Sequence, residues 1–271
     1  MSAHHALLPS RALIALSGED WRSFLQGLIT QDVETLPPGE ARFAALLTPQ
    51  GKLMYDLFVV GRPEGCWLEV EAERREALIQ RLTMYRLRAK VQIAADATPV
   101  SALWGGAPPA DGDWVADPRL AGLGFRGYGA AAPSTTDEED YDAHRLQLGV
   151  PGPADWGFEE TYPIEANFDL LGGIDFKKGC FIGQETTSRM KRRGQIKTRM
   201  LPISFEGEGP APGAEILAGT LRAGEVLSGA DGCAMASLRL DRIAGDLTAD
   251  GWEVRVERPD WMAQALTPTQ D

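Results

Sequence analysis

The amino-acid sequence predicts an α+β protein that ends in a small antiparallel β-barrel or sandwich. Two observations support this prediction. Up to Trp104, segments with strand and helix patterns follow the order strand, helix, strand, strand, helix, strand, which is typical of ferredoxin-like units. After Gly194, short apolar runs are separated by glycine and proline, as expected for an antiparallel domain of roughly sixty residues.

The first strand and helix are predicted close to the N-terminus. Residues 13–16 form a short apolar run typical of a strand, and Ser17 follows in a position to cap a helix. Apolar residues spaced three and four apart then indicate one buried helical face. Its members are Trp21, Phe24, Leu25, Leu28 and Ile29.

A hairpin and a second helix are predicted next. The turn residues Pro49-Gln50-Gly51 join two apolar runs and favour a β-hairpin. Residues 72–90 have a helical pattern with cations near the end, where they oppose the helix dipole favourably. The predicted strands of this part are 41–48, 52–60, 66–70, 91–95 and 99–104.

Loops, a third helix and the C-terminal strands complete the prediction. Residues 107–113 and 130–142 read as loops, with an acidic helix start at 137–140 and a helical pattern over 141–149. The chain after Pro259 reads as a tail. The strands of the C-terminal domain, with a turn at Asp231-Gly232, are predicted at 200–205, 214–218, 221–227, 233–240 and 252–257.

Composition and charge exclude several classes of protein. The 271 residues include three cysteines, far apart and without a CxxC pair, which favours reduced thiols over disulfides, structural zinc or a permanent iron–sulfur cluster. His4 and His5 are expected in a frayed terminus. No apolar run is long enough for a membrane span, and the N-terminus does not resemble a signal peptide, so we expect a cytoplasmic protein.

The segment Lys177-Lys178-Gly179-Cys180-Phe181-Ile182-Gly183-Gln184-Glu185 is the strongest candidate for chemistry. It sets a thiol beside two lysines, on a glycine-flanked turn that leads into a helix. Cations and a helix N-terminus both stabilise a thiolate, which is the reactive form of cysteine. Glu185 and Arg189 are four residues apart, so they are expected to pair on one helix face.

A basic segment surrounds this thiol. Residues 177–199 contain eight lysines and arginines and one acidic residue, whereas the whole chain has a formal net charge of −12. The segment is therefore expected either to be a solvated helix face or to bind an anionic ligand or an acidic partner. Motifs for phosphate loops, dinucleotide binding, zinc proteases and serine hydrolases are absent from the sequence, which disfavours those activities.

The residues around Cys180 resemble the pattern K-G-C-Y-x-G-x-E-x-x-x-R of the YgfZ family, with Phe181 in place of tyrosine. These proteins are relatives of the glycine-cleavage T-protein, GcvT, and of a mitochondrial iron–sulfur assembly factor. Further segments are similar to this family in the same order. They are 16–33, Pro49-Gln50-Gly51-Lys52 through Asp56-Leu57, 145–151 and Pro163-Ile164-Glu165-Ala166-Asn167.

The resemblance implies a fold and a domain division. The fold is GcvT/YgfZ-like, with two ferredoxin-like α+β units around a central folate opening and a C-terminal antiparallel β-barrel. The first region would cover residues 1–195, with one unit formed by about 1–50 and 140–195 and the other by 51–139. Residues 196–271 would form the barrel and tail.

The resemblance also implies a function. It suggests an accessory factor for assembly or repair of 4Fe–4S enzymes, including enzymes that modify tRNA, which binds tetrahydrofolate or a derivative. A transient iron–sulfur intermediate would involve Cys180, with Lys178, Glu185 and Arg189 as its local setting. Iron–sulfur carriers or client proteins would be the partners.

Three residues are implied as folate contacts. Glu165 would accept hydrogen bonds from the pterin ring, Asp56 would lie near the reacting nitrogen, and Arg199 would bind the glutamate carboxylate. A folate-dependent aminomethyl or one-carbon transferase like the T-protein is the alternative function. Direct tRNA binding by the basic segment is disfavoured by the acidic remainder of the chain.

Overall fold

The computed structural model describes residues 3–129, 133–194, 196–230 and 232–266. The strands are β1 (His4–Leu7), β2 (Arg11–Ser17), β3 (Ala41–Leu47), β4 (Leu53–Arg62), β5 (Gly65–Glu71), β6 (Gln92–Asp96), β7 (Val100–Trp104), β8 (Asp113–Ala116), β9 (Phe125–Tyr128), β10 (Thr198–Ser204), β11 (Glu215–Ala218), β12 (Leu221–Ala230), β13 (Cys233–Arg239), β14 (Leu247–Ala249) and β15 (Trp252–Val256). The α-helices are α1 (Trp21–Gln26), α2 (Arg75–Arg86), α3 (Glu138–Gln147), α4 (Pro153–Trp156), α5 (Gln184–Arg193) and α6 (Ala263–Leu266).

The first sheet has five antiparallel strands in the order β3-β4-β5-β2-β6. Helices α1 and α2 cover one face, where Trp21 and Leu25 pack in the same core as Leu78 and Leu82. The other face meets the second sheet, and Phe43 lies in that core. Because both faces are covered, β3 and β4 are almost continuously apolar.

The second sheet has the order β1-β7-β9-β8, and α3 packs beside β1. The sequence prediction missed three of these strands. His4 and His5, expected in a frayed terminus, instead lie in β1, which pairs with β7 in antiparallel register. The ring of His4 stacks on Trp104 at a centroid distance of 5.2 Å, so aromatic packing fixes the start of the chain.

The C-terminal domain is a closed barrel with the strand order β10-β13-β12-β11-β14-β15. The predicted fold class is therefore confirmed, with a barrel rather than an open sandwich. The prediction missed β14, which has only three residues. The predicted turn residue Asp231 lies outside the described residues.

The barrel is attached to the rest of the molecule by specific contacts. Trp261 donates its indole N–H to the carbonyl of Leu148 at 2.9 Å, and the side-chain amide of Asn167 donates to the carbonyl of Met200 at 2.7 Å. Trp261 belongs to a 3₁₀ turn followed by α6, in a segment predicted to be a tail. Residues 267–271 of that tail lie outside the described residues.

Strand pairing groups the residues differently from the predicted pair of units. The predicted division near residue 50 separates β3 from β4, yet these strands form one hairpin because Gly51 closes a tight turn at φ +86°. β1 and the segment from β7 to β9 make up the second sheet. The division between 1–195 and 196–271 stays a prediction, and Gln195 itself lies outside the described residues.

A buried network of ion pairs connects the two sheets. Arg11 of β2 binds Asp56 of β4 at 3.0 Å and Glu69 of β5 at 2.9 Å within the first sheet. Glu69 also meets Arg126 of β9 at 3.1 Å, which links the second sheet. Three arginines and three carboxylates share the network: Arg11, Arg119, Arg126, Asp56, Glu69 and Asp117.

Glu69 is the centre of this network. Its side chain is fully buried, and its second oxygen accepts a hydrogen bond from the Tyr128 hydroxyl at 3.0 Å. Burial raises the pKa of Asp117, but the charges of Arg119 and Arg126 together with the hydrogen bonds from Arg119 outweigh burial and lower that pKa overall. The charges are therefore balanced inside the protein, and removal of one leaves a partner unpaired.

We predict that Glu69→Ala lowers the free energy of unfolding by roughly 3–5 kcal/mol, because Arg11 and Arg126 lose their shared carboxylate in a buried site. Glu253→Ala is the matched control, since its pair with Arg255 is about 70% exposed and is worth about 0–1 kcal/mol. Urea unfolding of both variants measures the difference. Equal stability of the two variants would show that the network contributes little.

Candidate functional site

Cys180 lies exposed in the loop that precedes α5. The residues on either side are held in place: Phe181 is 7% exposed and packs in the main core, and the amide of Asp175 donates to the carbonyl of Thr30 at 3.0 Å. Gly183 ends the loop at φ +80°, and α5 begins at Gln184. The loop therefore presents the thiol to solvent from an anchored backbone.

Two glycines bring the start of α5 against the β3–β4 hairpin. A Cβ atom on Gly183 would lie 2.7 Å from the carbonyl oxygen of Thr48 and 2.9 Å from the Cα of Gly51. Both glycines also have positive φ angles. Only glycine fits at these two positions, whereas Gly179 has open space beside its Cα.

Lys178 has partners that the sequence did not indicate. Its ammonium donates to three backbone carbonyls, those of Gln26 at 2.8 Å, Ile29 at 2.7 Å and Gln31 at 2.9 Å. Burial lowers the pKa of Lys178 to about 8, against the opposing charge of Asp32. Three acceptors match its three N–H donors, so Lys178 anchors the thiol loop to the end of α1.

Thr30 and Asp32 complete this anchor from the other side. The Thr30 hydroxyl donates to the carbonyl of Gly173 at 2.6 Å and accepts from the amide of Ala45 at 2.7 Å. Burial would raise the pKa of Asp32, but hydrogen bonds from Thr35, Arg42 and Gln26 lower it overall. The Thr-Gln-Asp segment is thus a structural connector between the loop and β3.

Only some of the cations in the basic segment are exposed on the surface. Arg199 is buried and Lys178 is half-buried, so these two cations face inward. Among the residues of this segment whose side chains the structure describes, the exposed cations are Lys177, Arg189, Lys191, Arg192 and Lys197. Lys191 lies 3.4 Å from Asp169, and no ion pair joins Glu185 to Arg189 in the described part of the chain. The expected pair on one helix face is therefore wrong.

Asp56 is buried and bound to an arginine. Its side chain is 3% exposed, and the Arg11 guanidinium binds both carboxylate oxygens at 3.0 and 3.2 Å. This carboxylate is part of the network between the sheets, so a ligand would have to compete with Arg11 for it. Nothing in the sequence near Asp56 indicated Arg11 as its partner, because the two residues are 45 positions apart.

Arg199 is also occupied. Its two terminal nitrogens bind the carboxylate of Asp169 at 2.9 and 3.0 Å, and one of them also donates to the carbonyl of Ile164 at 2.8 Å. Sequence reasoning missed Asp169, which lies 30 residues before its partner. Glu165 is half-buried and accepts one hydrogen bond, from the amide of Tyr162 at 3.1 Å. The three predicted folate contacts thus differ. Asp56 and Arg199 are engaged by internal partners, with the buried Nε of Arg199 left unpaired, whereas Glu165 is half-buried and accepts a single hydrogen bond.

The fold and the site define a scaffold like that of the T-protein, with a C-terminal barrel and one exposed thiol. Comparisons with a solved structure and a family model agree with this fold. The structure is similar to glycine cleavage system aminomethyltransferase T from Bartonella henselae, with a TM-score of 0.77 over 96% of this chain and 86% of that chain. Sequence identity is 17%, so this likeness shows the fold alone. The family model of the CAF17 C-terminal β-barrel domain matches residues 197–264.

Sequence relatives identify the family. The mouse iron–sulfur cluster assembly factor IBA57 is 30% identical over 95% of this chain and 85% of its own length. A homolog from Phaeosphaeria nodorum is 39% identical over 75% of this chain, but the match spans only 56% of that relative. The chain belongs to the family of the iron–sulfur cluster assembly factor IBA57. The relatives carry this name rather than YgfZ.

The comparisons overturn the predicted location. The relatives from mouse, human and Phaeosphaeria nodorum are all named as mitochondrial proteins, in conflict with the expected cytoplasmic one. The sequence argument relied on the absence of a recognisable targeting segment, which does not determine location. Among the described residues, no helix has the length and apolar character needed to cross a bilayer.

We predict that Lys178→Met lowers the free energy of unfolding by about 1–3 kcal/mol, because three carbonyls at the end of α1 lose a charged donor. Hydrogen exchange should rise in residues 175–183 at the same time. Lys177→Met is the control, since Lys177 is exposed. If both variants are equally stable and exchange alike, the anchor does not hold the loop.

Proposed function

We propose that this protein supports the assembly or repair of iron–sulfur clusters by presenting Cys180 to a partner protein. The observation that carries the proposal is the exposed thiol on a loop fixed by Lys178, Phe181 and Gly183. A held backbone with a free thiol suits an exchange of ligands between two proteins, since the sulfur can bind without rearrangement of the loop.

The partner protein supplies the remaining ligands of the iron–sulfur cluster. Among the described residues, no group of three or more histidine, cysteine or acidic side chains is placed to hold a metal ion. An iron–sulfur cluster is usually held by four protein ligands, mostly cysteine thiolates. Cys180 alone therefore acts as one ligand of a shared, transient cluster, and the cluster is cargo rather than a resident group.

Exposed cations beside the thiol provide a docking surface for this partner. Lys177, Arg189 and Arg192 are exposed on the thiol loop and α5, in a chain of net charge −12. An acidic carrier or client protein would be attracted to this surface and repelled by the acidic remainder of the chain. Enzymes with 4Fe–4S clusters, including those that modify tRNA, are the proposed clients, as the resemblance to YgfZ proteins implies.

The proposed role uses no folate-dependent step. Asp56 is bound by Arg11 and Arg199 by Asp169, so two of the three predicted contacts do not fit tetrahydrofolate in this arrangement. This also disfavours the alternative of a one-carbon transferase, which needs a free acidic group at the reacting nitrogen. Glu165 is the one predicted contact that could still meet a pterin.

The central prediction concerns the thiol. In cells that lack the native protein, Cys180→Ser is expected to restore 4Fe–4S enzyme activity no better than an empty vector. The reason is that a serine hydroxyl is a poor ligand for the iron of a cluster. Cys233→Ser is the matched control, since burial raises the pKa of the half-buried Cys233 thiol and makes it unreactive. Full rescue by Cys180→Ser, at equal protein level, contradicts the proposal.

A separate prediction concerns folate. Anaerobic calorimetry with tetrahydrofolate is expected to detect no micromolar binding to the wild type, because the Asp56 and Arg199 side chains are engaged internally. Glu165→Ala is measured in parallel. Micromolar binding that is lost in Glu165→Ala would restore the predicted folate site and bring the transferase back into consideration.

A further inference from the structure

A second unusual surface lies at the opposite end of α1 from the thiol loop. It is formed by the end of α2 and the turn that follows it. Two large apolar side chains project there: Met84 is 68% exposed and Leu87 is 89% exposed. Among the described large apolar side chains, Leu87 is the most exposed.

Leu87 also has a strained backbone. Its angles are φ 44° and ψ −103°, near those of the first central residue of a type II′ β-turn, a position that side chains other than glycine seldom adopt. The turn is held by bonds from the amide of Ala89 to the carbonyl of Arg86 at 2.8 Å and from the amide of Val91 to the carbonyl of Ala89 at 2.9 Å. An exposed leucine kept in a strained turn adds nothing to the core, which favours a role in binding.

The turn is fixed to the start of α1. The amide of Lys90 donates to the carboxylate of Asp20 at 2.8 Å, and a Cβ atom on Gly18 would lie 2.2 Å from the carbonyl oxygen of Lys90. Because Lys178 fixes the other end of α1, the six-residue helix connects the two surfaces. At 1.5 Å per residue the helix is about 9 Å long, well within the footprint of one partner protein.

Cations and a groove accompany the leucine. Arg88 is exposed and makes no ion pair in the described part of the chain, and Arg86 donates only to the carbonyl of Val91. The Lys90–Glu19 pair is more than 70% exposed on both sides, so it is weak. A groove of about 480 Å³ runs beside the turn, lined by residues 18–19 and 86–92.

We propose that this surface, formed by Met84, Arg86, Leu87 and Arg88 with the adjoining groove and called here the Leu87 surface, binds an acidic segment of a partner protein. An apolar side chain of that segment packs on Leu87 and Met84, while its carboxylates meet the arginines. The inference rests on the proposed function in one respect: the partner is the protein that meets Cys180.

Charge decides between a protein segment and a lipid surface. The cations are confined to a small area, whereas the chain as a whole carries a net charge of −12. An extended anionic membrane would also come close to part of the acidic remainder, which it repels. A short acidic segment meets only the turn and the groove.

A designed peptide tests the surface directly. The probe is a fluorescein-labelled peptide of twelve residues, ten of them Asp or Glu around a central Leu-Phe pair, and a matched peptide has Ser-Ser at the centre. Anisotropy with the full-length chain is expected to show saturable binding of the first peptide, at least fivefold weaker for the second. Leu87→Gly and Arg88→Glu should each weaken binding at least fivefold.

Three controls make the test decisive. Leu221→Gly removes a 57% exposed leucine from the barrel and should leave peptide binding unchanged. Cys180→Ser should also leave peptide binding unchanged. A failure of the proposed thiol function can therefore be distinguished from a failure of the proposed Leu87 surface. Leu87→Gly should raise the melting temperature, because glycine relieves the positive φ, and this separates lost binding from misfolding.

Some outcomes would overturn the inference. Equal binding of the Leu-Phe and Ser-Ser peptides would mean that charge alone drives a non-specific contact. Unchanged binding to Leu87→Gly would remove the leucine from the contact. Binding of phosphatidylserine vesicles with no binding of the peptide would assign the surface to a membrane instead.

Discussion

The ion-pair network around Glu69 is the constraint on which the remaining structure depends. It lies where the two sheets face each other, and its charges are matched one for one, with Arg11 and Arg126 sharing the same carboxylate. Such a network is less stabilising than an apolar core of equal volume, but it tolerates only one mutual position of the sheets. In a T-protein-like scaffold, this network takes up the Asp56 carboxylate that the resemblance to the YgfZ family implies as a folate contact.

The proposed functional site lies at the edge of the first sheet. Every support of the thiol loop comes from elements that this sheet positions: the end of α1 through Lys178, and the β3–β4 turn through Gly51 and Gly183. The supports combine the Lys178 ammonium and the buried Phe181 ring with close backbone contacts at Gly51 and Gly183, and none of them uses the Cys180 side chain. Cys180 is left as the one side chain of this loop with chemistry to offer to solvent.

Local features of this site could be predicted from the sequence, whereas its long-range partners could not. The hairpin at Pro49-Gln50-Gly51, the amphipathic α1 and the thiol turn before α5 depend on neighbouring residues, and the structure contains each of them. Helix α1 is shorter than predicted, because it ends at Gln26, and Ile29 pairs with Leu46 of β3 instead. Lys178 looked like a cation for the thiol because its sequence neighbour is Gly179-Cys180, yet its acceptors lie 147 to 152 residues away. The Arg199 fork seemed free for the same reason, since nothing near it in sequence indicated Asp169.

The two ends of α1 explain how one partner can be recognised twice. Asp20 binds the Leu87 turn at one end of the helix, and the carbonyl of Gln26 binds Lys178 at the other. Since α1 is short and its inner face is buried through Trp21 and Leu25, it acts as a rigid spacer that sets the distance between an apolar, cationic contact and the thiol. In the proposed complex, much of the binding energy comes from a contact that lies away from the sulfur. The thiol loop is then free to exchange its ligand, as a transient cluster requires. The strain at Leu87 and the exposure of Cys180 are then two parts of one requirement: to hold a partner firmly and its cluster loosely.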